Sequence, residues 1–432
     1  MYYQLFNDTK KYEFYNINHL DTLNNKNNIH LLYCHNNQLT KLPQLPINLK
    51  ILHCHNNKLS RLPKLPDSLI ELYCNYNKLT ELPKLPFNLK ILYCRYNQLT
   101  QLPKLLDNLI ELICSYNQLT NLPKLPINLK ELYCINNNLI QLPKLPHNLK
   151  IINCSNNKLT ELLQLPDNLS HLNCENNQLT ELPQLPDNLK YLYCSINELT
   201  ELPQLPDNLK KLDCAHNQLT ELPQLPDNLI ELICGNNQLI QLPELPDSLK
   251  YFHCSYNQLT ELPKLPINLI ELHCPYNQLT KLSPLPINLK FLYCFNNKLT
   301  ELPQLPDSLK RLYCYTNKLT KLPELPHNLI ILYCNNNELT ELSPLSHKLK
   351  YLYCYDNILT QLPQLPNNLK AIRCYNNCKN LHKYIIHCKN IKNYKKYNKY
   401  RYINTLNELL NYTIKNYYYF KIIKYYEKNK YN

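Results

Sequence analysis

Cysteine is the residue in this chain that first asks for a chemical explanation. It recurs every twenty residues, eighteen times, from Cys34 to Cys374. Thiols at a fixed period could form disulfides, hold a metal, act as nucleophiles or fill a core. A metal tetrahedron needs close ligand pairs such as C-x-x-C, whereas this period puts one thiol on each successive unit. Neighbouring units would hold their thiols side by side, and an unsecreted chain keeps them reduced, so a disulfide ladder is not expected. What remains is a small apolar residue pointing inward. No metal, cofactor or small-molecule substrate is expected.

The fourteen histidines are scattered. His35, His53 and His55 could meet on one face, but no carboxylate or nucleophile pattern accompanies them, so the chain is not expected to be an enzyme. The single glycine, Gly235, excludes phosphate-binding loops, whose backbone approach a Cβ would block.

The cysteines belong to a unit well seen at 49–68, LKILHCHNNKLSRLPKLPDS, which runs without insertion from Ile29 to Asn377. Positions are counted 1 to 20 from the first leucine of each copy. Leucine holds positions 1, 4, 11, 14 and 17 almost throughout, and asparagine holds position 9 from Asn37 to Asn377. The apolar residues at 4 and 6 alternate with variable residues at 3, 5 and 7, which is the period of a strand. Eighteen such strands at ~4.8 Å trace an arc on the order of 85 Å. Proline pairs such as Pro43 and Pro46 forbid a helix on the return path and favour extended, polyproline-like backbone there. Leu106, Leu163, Ser283 with Pro284, and Ser343 with Pro344 and Ser346 depart from the pattern and read as tolerated loop variation. The asparagine ladder reads as structural. Its amides can satisfy backbone groups at the turn leaving each strand, and asparagine tolerates left-handed backbone in a chain almost without glycine.

The pattern L-x-x-L-x-C-x-x-N-x-L resembles that of leucine-rich repeats. Its L-P-x-L-P-x-N ending resembles the short class of secreted bacterial effectors, and the composition is similar to leucine-rich-repeat proteins of giant DNA viruses. The resemblance implies a solenoid: a horseshoe with a curved parallel β-sheet on its concave face and a thin, non-helical convex side. Effectors of this kind often carry a ubiquitin-ligase domain with a nucleophilic cysteine. Only 55 residues follow the array here, too few for such a domain, and Cys378 and Cys388 read as ordinary thiols.

The array occupies 29–377. Residues 1–28 read as an N-terminal cap, because a solenoid end exposes its core. Residues 378–432 form a basic, tyrosine-rich cap or tail that carries +11 of the net charge of +14. Within it Thr405 and Glu408 fit a capping box, and Leu406, Leu409, Leu410, Ile414, Tyr417 and Tyr418 make one apolar face of a short helix. Lysines interleaved with aromatics could contact nucleic acid or an anionic membrane surface. The start has no basic segment followed by an apolar run, and no stretch is long and apolar enough to span a bilayer. An intracellular, cytoplasmic protein is expected.

Specificity should reside at positions 3, 5, 7 and 8, which vary and should point outward on the concave face. Aromatics thicken toward the C-terminal copies, at Phe291, Tyr293, Phe295, Tyr313, Tyr315, Tyr333, Tyr351, Tyr353 and Tyr355. Such side chains offer large contact area at low rotamer cost. The middle copies, with His171, Asn173, Glu175, Lys211 and Asp213, are more polar and could shape selectivity. These features point to a non-enzymatic scaffold that binds a protein partner on the concave face. The alternative is association with nucleic acid or anionic lipid through the tail.

Overall fold

Alternation over positions 3 to 5 requires one short strand per copy, and that is what forms. The computed structural model describes residues 1–5 and 11–377. The basic segment 378–432, with its expected helix, lies outside the described residues. Strand β3 (Ile29–Tyr33) is followed every twenty residues by a three-residue strand, from β4 (Ile51–His53) to β20 (Ala371–Arg373). All pair in parallel and without register shift, so that Leu52 faces Leu72 and Leu332 faces Leu352. Two further strands, β1 (Tyr2–Leu5) and β2 (Tyr12–Glu13), precede the array. β1 pairs antiparallel with both β2 and β3 and occupies the hydrogen-bonding edge that β3 would otherwise leave open. Two 3₁₀ turns, Ile17–Thr22 and Lys26–Asn28, lead into β3.

The return path is extended rather than helical, as the prolines dictate. It closes each copy with a tight turn in which the position-1 amide donates to the carbonyl at position 18, for example Leu69 N to Pro66 O at 3.1 Å. The departures keep this turn. Leu109 N donates to Leu106 O, and Leu349 N to Ser346 O, both at 3.0 Å. A second amide ladder runs here at position 20. Asn108 Nδ2 donates to Phe87 O at 3.0 Å and Asn228 Nδ2 to Asp207 O at 2.9 Å, stitching each copy to the one before.

Between sheet and return path lies a continuous core of leucine and cysteine. Positions 1, 4, 6 and 11 are solvent-free through most of the array. Each buried leucine contributes roughly 1.5–3 kcal/mol of transfer free energy. The cysteine occupies the inward position just after the strand and is fully buried from Cys34 to Cys354. Its thiol reaches only weakly to a neighbouring carbonyl, as Cys74 Sγ does to Tyr93 O at 3.4 Å.

The invariant asparagine at position 9 does what its amide allows, but not with left-handed backbone. Asn257 Nδ2 donates to Cys234 O and Cys254 O, each at 3.1 Å, while its Oδ1 accepts from Leu239 N at 3.0 Å. One side chain thereby satisfies backbone groups of two copies at the point where the chain leaves the sheet. The left-handed residue is position 8, at φ between 51° and 59° in all eighteen copies, and only half of these are asparagine. Positive φ at position 8 lets its amide donate forward to the next copy, as Ile196 N does to Ala215 O at 2.9 Å. Gly235 is not needed for positive φ. It sits at position 7, where an added Cβ would lie 3.0 Å from Ser255 O.

A branched side chain in left-handed backbone is strained. Ile196 is such a residue, at φ 56° and 43% exposed, so little burial opposes its replacement. Ile196→Asn is expected to raise stability by about 1 kcal/mol, read as a higher urea midpoint. An unchanged or lower midpoint would contradict the strain argument.

Candidate functional site on the sheet face

Position 5 side chains project from the open face of the sheet, and parallel in-register pairing stacks them one above another. Six rings form one unbroken column across the C-terminal copies: His253, His273, Tyr293, Tyr313, Tyr333 and Tyr353. Successive centroids lie 4.1, 3.9, 4.7, 4.7 and 4.2 Å apart. The Arg373 guanidinium lies over the last ring at 4.8 Å. Beside this column, position 3 presents Phe291, Arg311, Ile331 and Tyr351, with Arg311 over the Phe291 ring at 5.1 Å. At position 7, Phe295 stacks on Tyr315 at 4.3 Å, and Tyr355 on Tyr375 at 4.6 Å.

The nine aromatic residues singled out from the sequence therefore fall on one region, and eight of them are half-buried. Phe295 is the correction. It is only 7% exposed, closed in by Tyr276 and Tyr315, and it supports the surface rather than forming it. Position 7 lies where the chain begins to bend out of the sheet, so its side chain tucks against the neighbouring turn. In other copies it is small and buried, as at Ser115, Ser195 and Ala215.

A second aromatic column covers the N-terminal copies. Tyr2 of β1 stacks on Tyr33 at 4.3 Å, followed by His53, Tyr73 and Tyr93. The histidine cluster is part of it. The His35 and His55 rings stack at 4.4 Å, and His53 lies between Tyr33 and Tyr73. Burial, with His55 and His35 alongside, lowers the His53 pKa to about 4, so this imidazole is neutral at physiological pH. A third row runs along position 8, where Tyr76, Tyr96 and Tyr116 stack at 4.5 and 4.1 Å beside Arg95. The N-terminal column could have been found by treating Tyr and His as equivalent rings at position 5.

The polar middle copies are less available than their residue types suggest. Asp213, on β12 (Lys211–Asp213), is 2% exposed, and its carboxyl folds back to accept from Ala215 N at 3.3 Å. Burial first, and then Glu175 nearby, raise its pKa to about 7. Burial raises that of Glu175 as well. Lys211 pairs with Glu231 at 3.0 Å and reaches over Tyr193.

The cysteine column lies on the opposite, inner side. Burial raises the pKa of every thiol from Cys34 to Cys334, to about 12 at Cys34, Cys114 and Cys154. Burial favours the protonated thiol, whereas nucleophilic attack and metal binding use the thiolate. Metal-ligating side chains do meet elsewhere. His253, Glu271 and His273 place their donor atoms within 4.8 Å of one another.

One strand per twenty residues, a leucine and cysteine core and an asparagine ladder define a leucine-rich-repeat solenoid, and the chain belongs to the leucine-rich-repeat family. A two-copy leucine-rich-repeat family pattern matches residues 287–327. In structure the chain is similar to YopM of Yersinia enterocolitica, at 38% identity and a TM-score of 0.73, over 82% of this chain and 88% of that one. It is also similar to YopM of Yersinia pestis, a leucine-rich effector protein (35% identity, TM-score 0.60, 83% and 90% covered). The InlJ functional domain of Listeria monocytogenes, which includes a cysteine ladder, matches at 27% identity and TM-score 0.57, with 79% and 76% covered. No curated protein sequence matches the chain. Leucine-rich-repeat proteins are generally protein-interaction scaffolds and typically non-enzymatic. Among the described residues, no helix is long and apolar enough to cross a membrane.

Proposed function

We propose that this chain is a non-enzymatic scaffold that captures a protein partner on the aromatic face of its C-terminal copies. The single observation that supports this reading most is the column from Tyr293 to Tyr353. Four tyrosines on adjacent strands stand half-buried, each packed ring against ring, face to face except for the edge-on contact of Tyr313 with Tyr333. Rings fixed before binding lose little entropy on contact, and their hydroxyls can meet polar groups of a partner. Arg311 and Arg373 border the rings, adding the other residue type enriched at binding hot spots.

The test is capture from host lysate by the full chain, by a chain ending at residue 377, and by Tyr313→Ala/Tyr333→Ala/Tyr353→Ala. Proteins retained by the first two are expected to be lost by the triple variant, with affinity falling about a hundredfold or more, at about 1 kcal/mol for each of the three rings removed. Capture that survives the triple change sinks this assignment. Capture that disappears with residues 378–432 and weakens steeply with salt would point to the basic segment instead.

A further inference from the structure

We infer that His253, Glu271 and His273 form a binding site for a first-row divalent metal ion, with zinc the best match. The site goes beyond the scaffold reading and does not depend on it. Two strands build it, β14 (Tyr251–His253) and β15 (Glu271–His273). Parallel register sets His253 directly beside His273, with ring centroids 4.1 Å apart. Position 3 of the second strand puts Glu271 on the same face as His273, and His273 Nε2 meets Glu271 Oε1 at 2.6 Å. The three donor atoms all lie within 4.8 Å of one another. Around a tetrahedral zinc with bonds of ~2.0–2.1 Å, ligand atoms stand about 3.3 Å apart. Parallel register already sets all three side chains on one face, so rotation about their own side-chain bonds is the movement that zinc binding asks of them.

The donor set decides the class of metal. Two imidazoles with one carboxylate suit zinc and its transition-metal neighbours, whereas magnesium and calcium take oxygen ligands. The surroundings favour a fixed site. Glu271 and His273 are only partly exposed, at 16% and 25% of their side chains. Tyr293 stacks on His273 at 3.9 Å, and Tyr251 and Phe291 flank Glu271 on the neighbouring strands. Three protein ligands leave a fourth position for water or another donor. It lies on the open face of the sheet, at the end of the tyrosine column.

Zinc titration of the full chain, followed by competition with a chelating dye, tests the site. The wild type is expected to take up one equivalent more than His253→Gln/His273→Gln. Glu271→Gln should weaken that equivalent by at least about tenfold, the lower bound for disturbing a zinc site. His53→Gln, in the other histidine cluster, should leave it unchanged. Cobalt in place of zinc should give visible bands that the double variant lacks, without thiolate charge-transfer bands. Circular dichroism of each variant separates loss of the site from loss of the fold, and Glu271→Gln alone suffices if the double variant unfolds. Equal uptake by wild type and variants, or bands that report thiolate ligands, would overturn the assignment.

Discussion

Asp213→Asn is expected to stabilise the array strongly above pH 7 and hardly at all near pH 4. The carboxyl is buried, and its pKa rises from 3.8 to about 7, through burial first and the charge of Glu175 second. A carboxyl whose folded pKa lies above its unfolded value binds protons more tightly when folded. Its stabilising effect is complete below about pH 4 and is lost as pH rises through about 7. At about 1.4 kcal/mol per unit, the ionised group costs on the order of 4 kcal/mol above that range. The array already contains the remedy. Asn173 and Asn153 occupy the same position in other copies, and their Oδ1 atoms accept from Glu175 N at 3.0 Å and Ser155 N at 3.1 Å. Asparagine at 213 keeps the same acceptor for Ala215 N and removes the charge. Lys211 retains Glu231 as its partner. Urea unfolding at pH 5 and pH 8, with hydrogen exchange over 191–233, measures the effect. Parallel pH profiles for the two proteins would refute the argument.

Asn257→Asp is expected to be as large in the opposite direction, although it changes scarcely any volume. Asn257 donates to Cys234 O, Cys254 O and Ser255 O and accepts from Leu239 N. An ionised carboxylate has no donor, so it would face three carbonyl oxygens across a buried turn. The loss should be on the order of 3–5 kcal/mol, the range for an uncompensated buried charge. Asn257→Ala should cost less, because it leaves groups unsatisfied without adding charge. Protonation restores one donor, so the Asp variant should recover stability as pH falls toward 4, whereas the Ala variant should not. Because each copy is held only by its neighbours, the damage should appear first as lost exchange protection around 230–280. Equal stability of Asp and wild type at pH 8 would show that the ladder is dispensable.

These two positions show where residue types suffice and where they do not. The asparagine ladder was legible because an amide with two donors and one acceptor at a fixed turn has few other uses. Its detailed role was not, because backbone handedness is set one residue earlier, where the sequence shows Asn, Tyr, Ile, His, Thr and Asp alike. Asp213 reads in sequence as a surface group. Only the backbone path after position 5 makes its carboxyl turn inward to Ala215 N. Phe295 was misread for a related reason, since the exposure of position 7 depends on the size of its neighbours in adjacent copies.

The sequence by itself determined the parallel solenoid, its inward leucines and cysteines, its non-helical return path and the clustering of aromatics between 291 and 355. All of these follow from a strict period acting on local chemistry: alternation makes strands, and proline forbids helix. Tertiary structure alone decided which variable residues touch. Side chains twenty residues apart become neighbours at about 4 Å only when strands pair in register, as His253 and His273 do. The continuous column from His253 to Tyr353, the carboxylate beside its first two rings and the buried charge of Asp213 are properties of adjacency between copies, which no single copy of the unit contains.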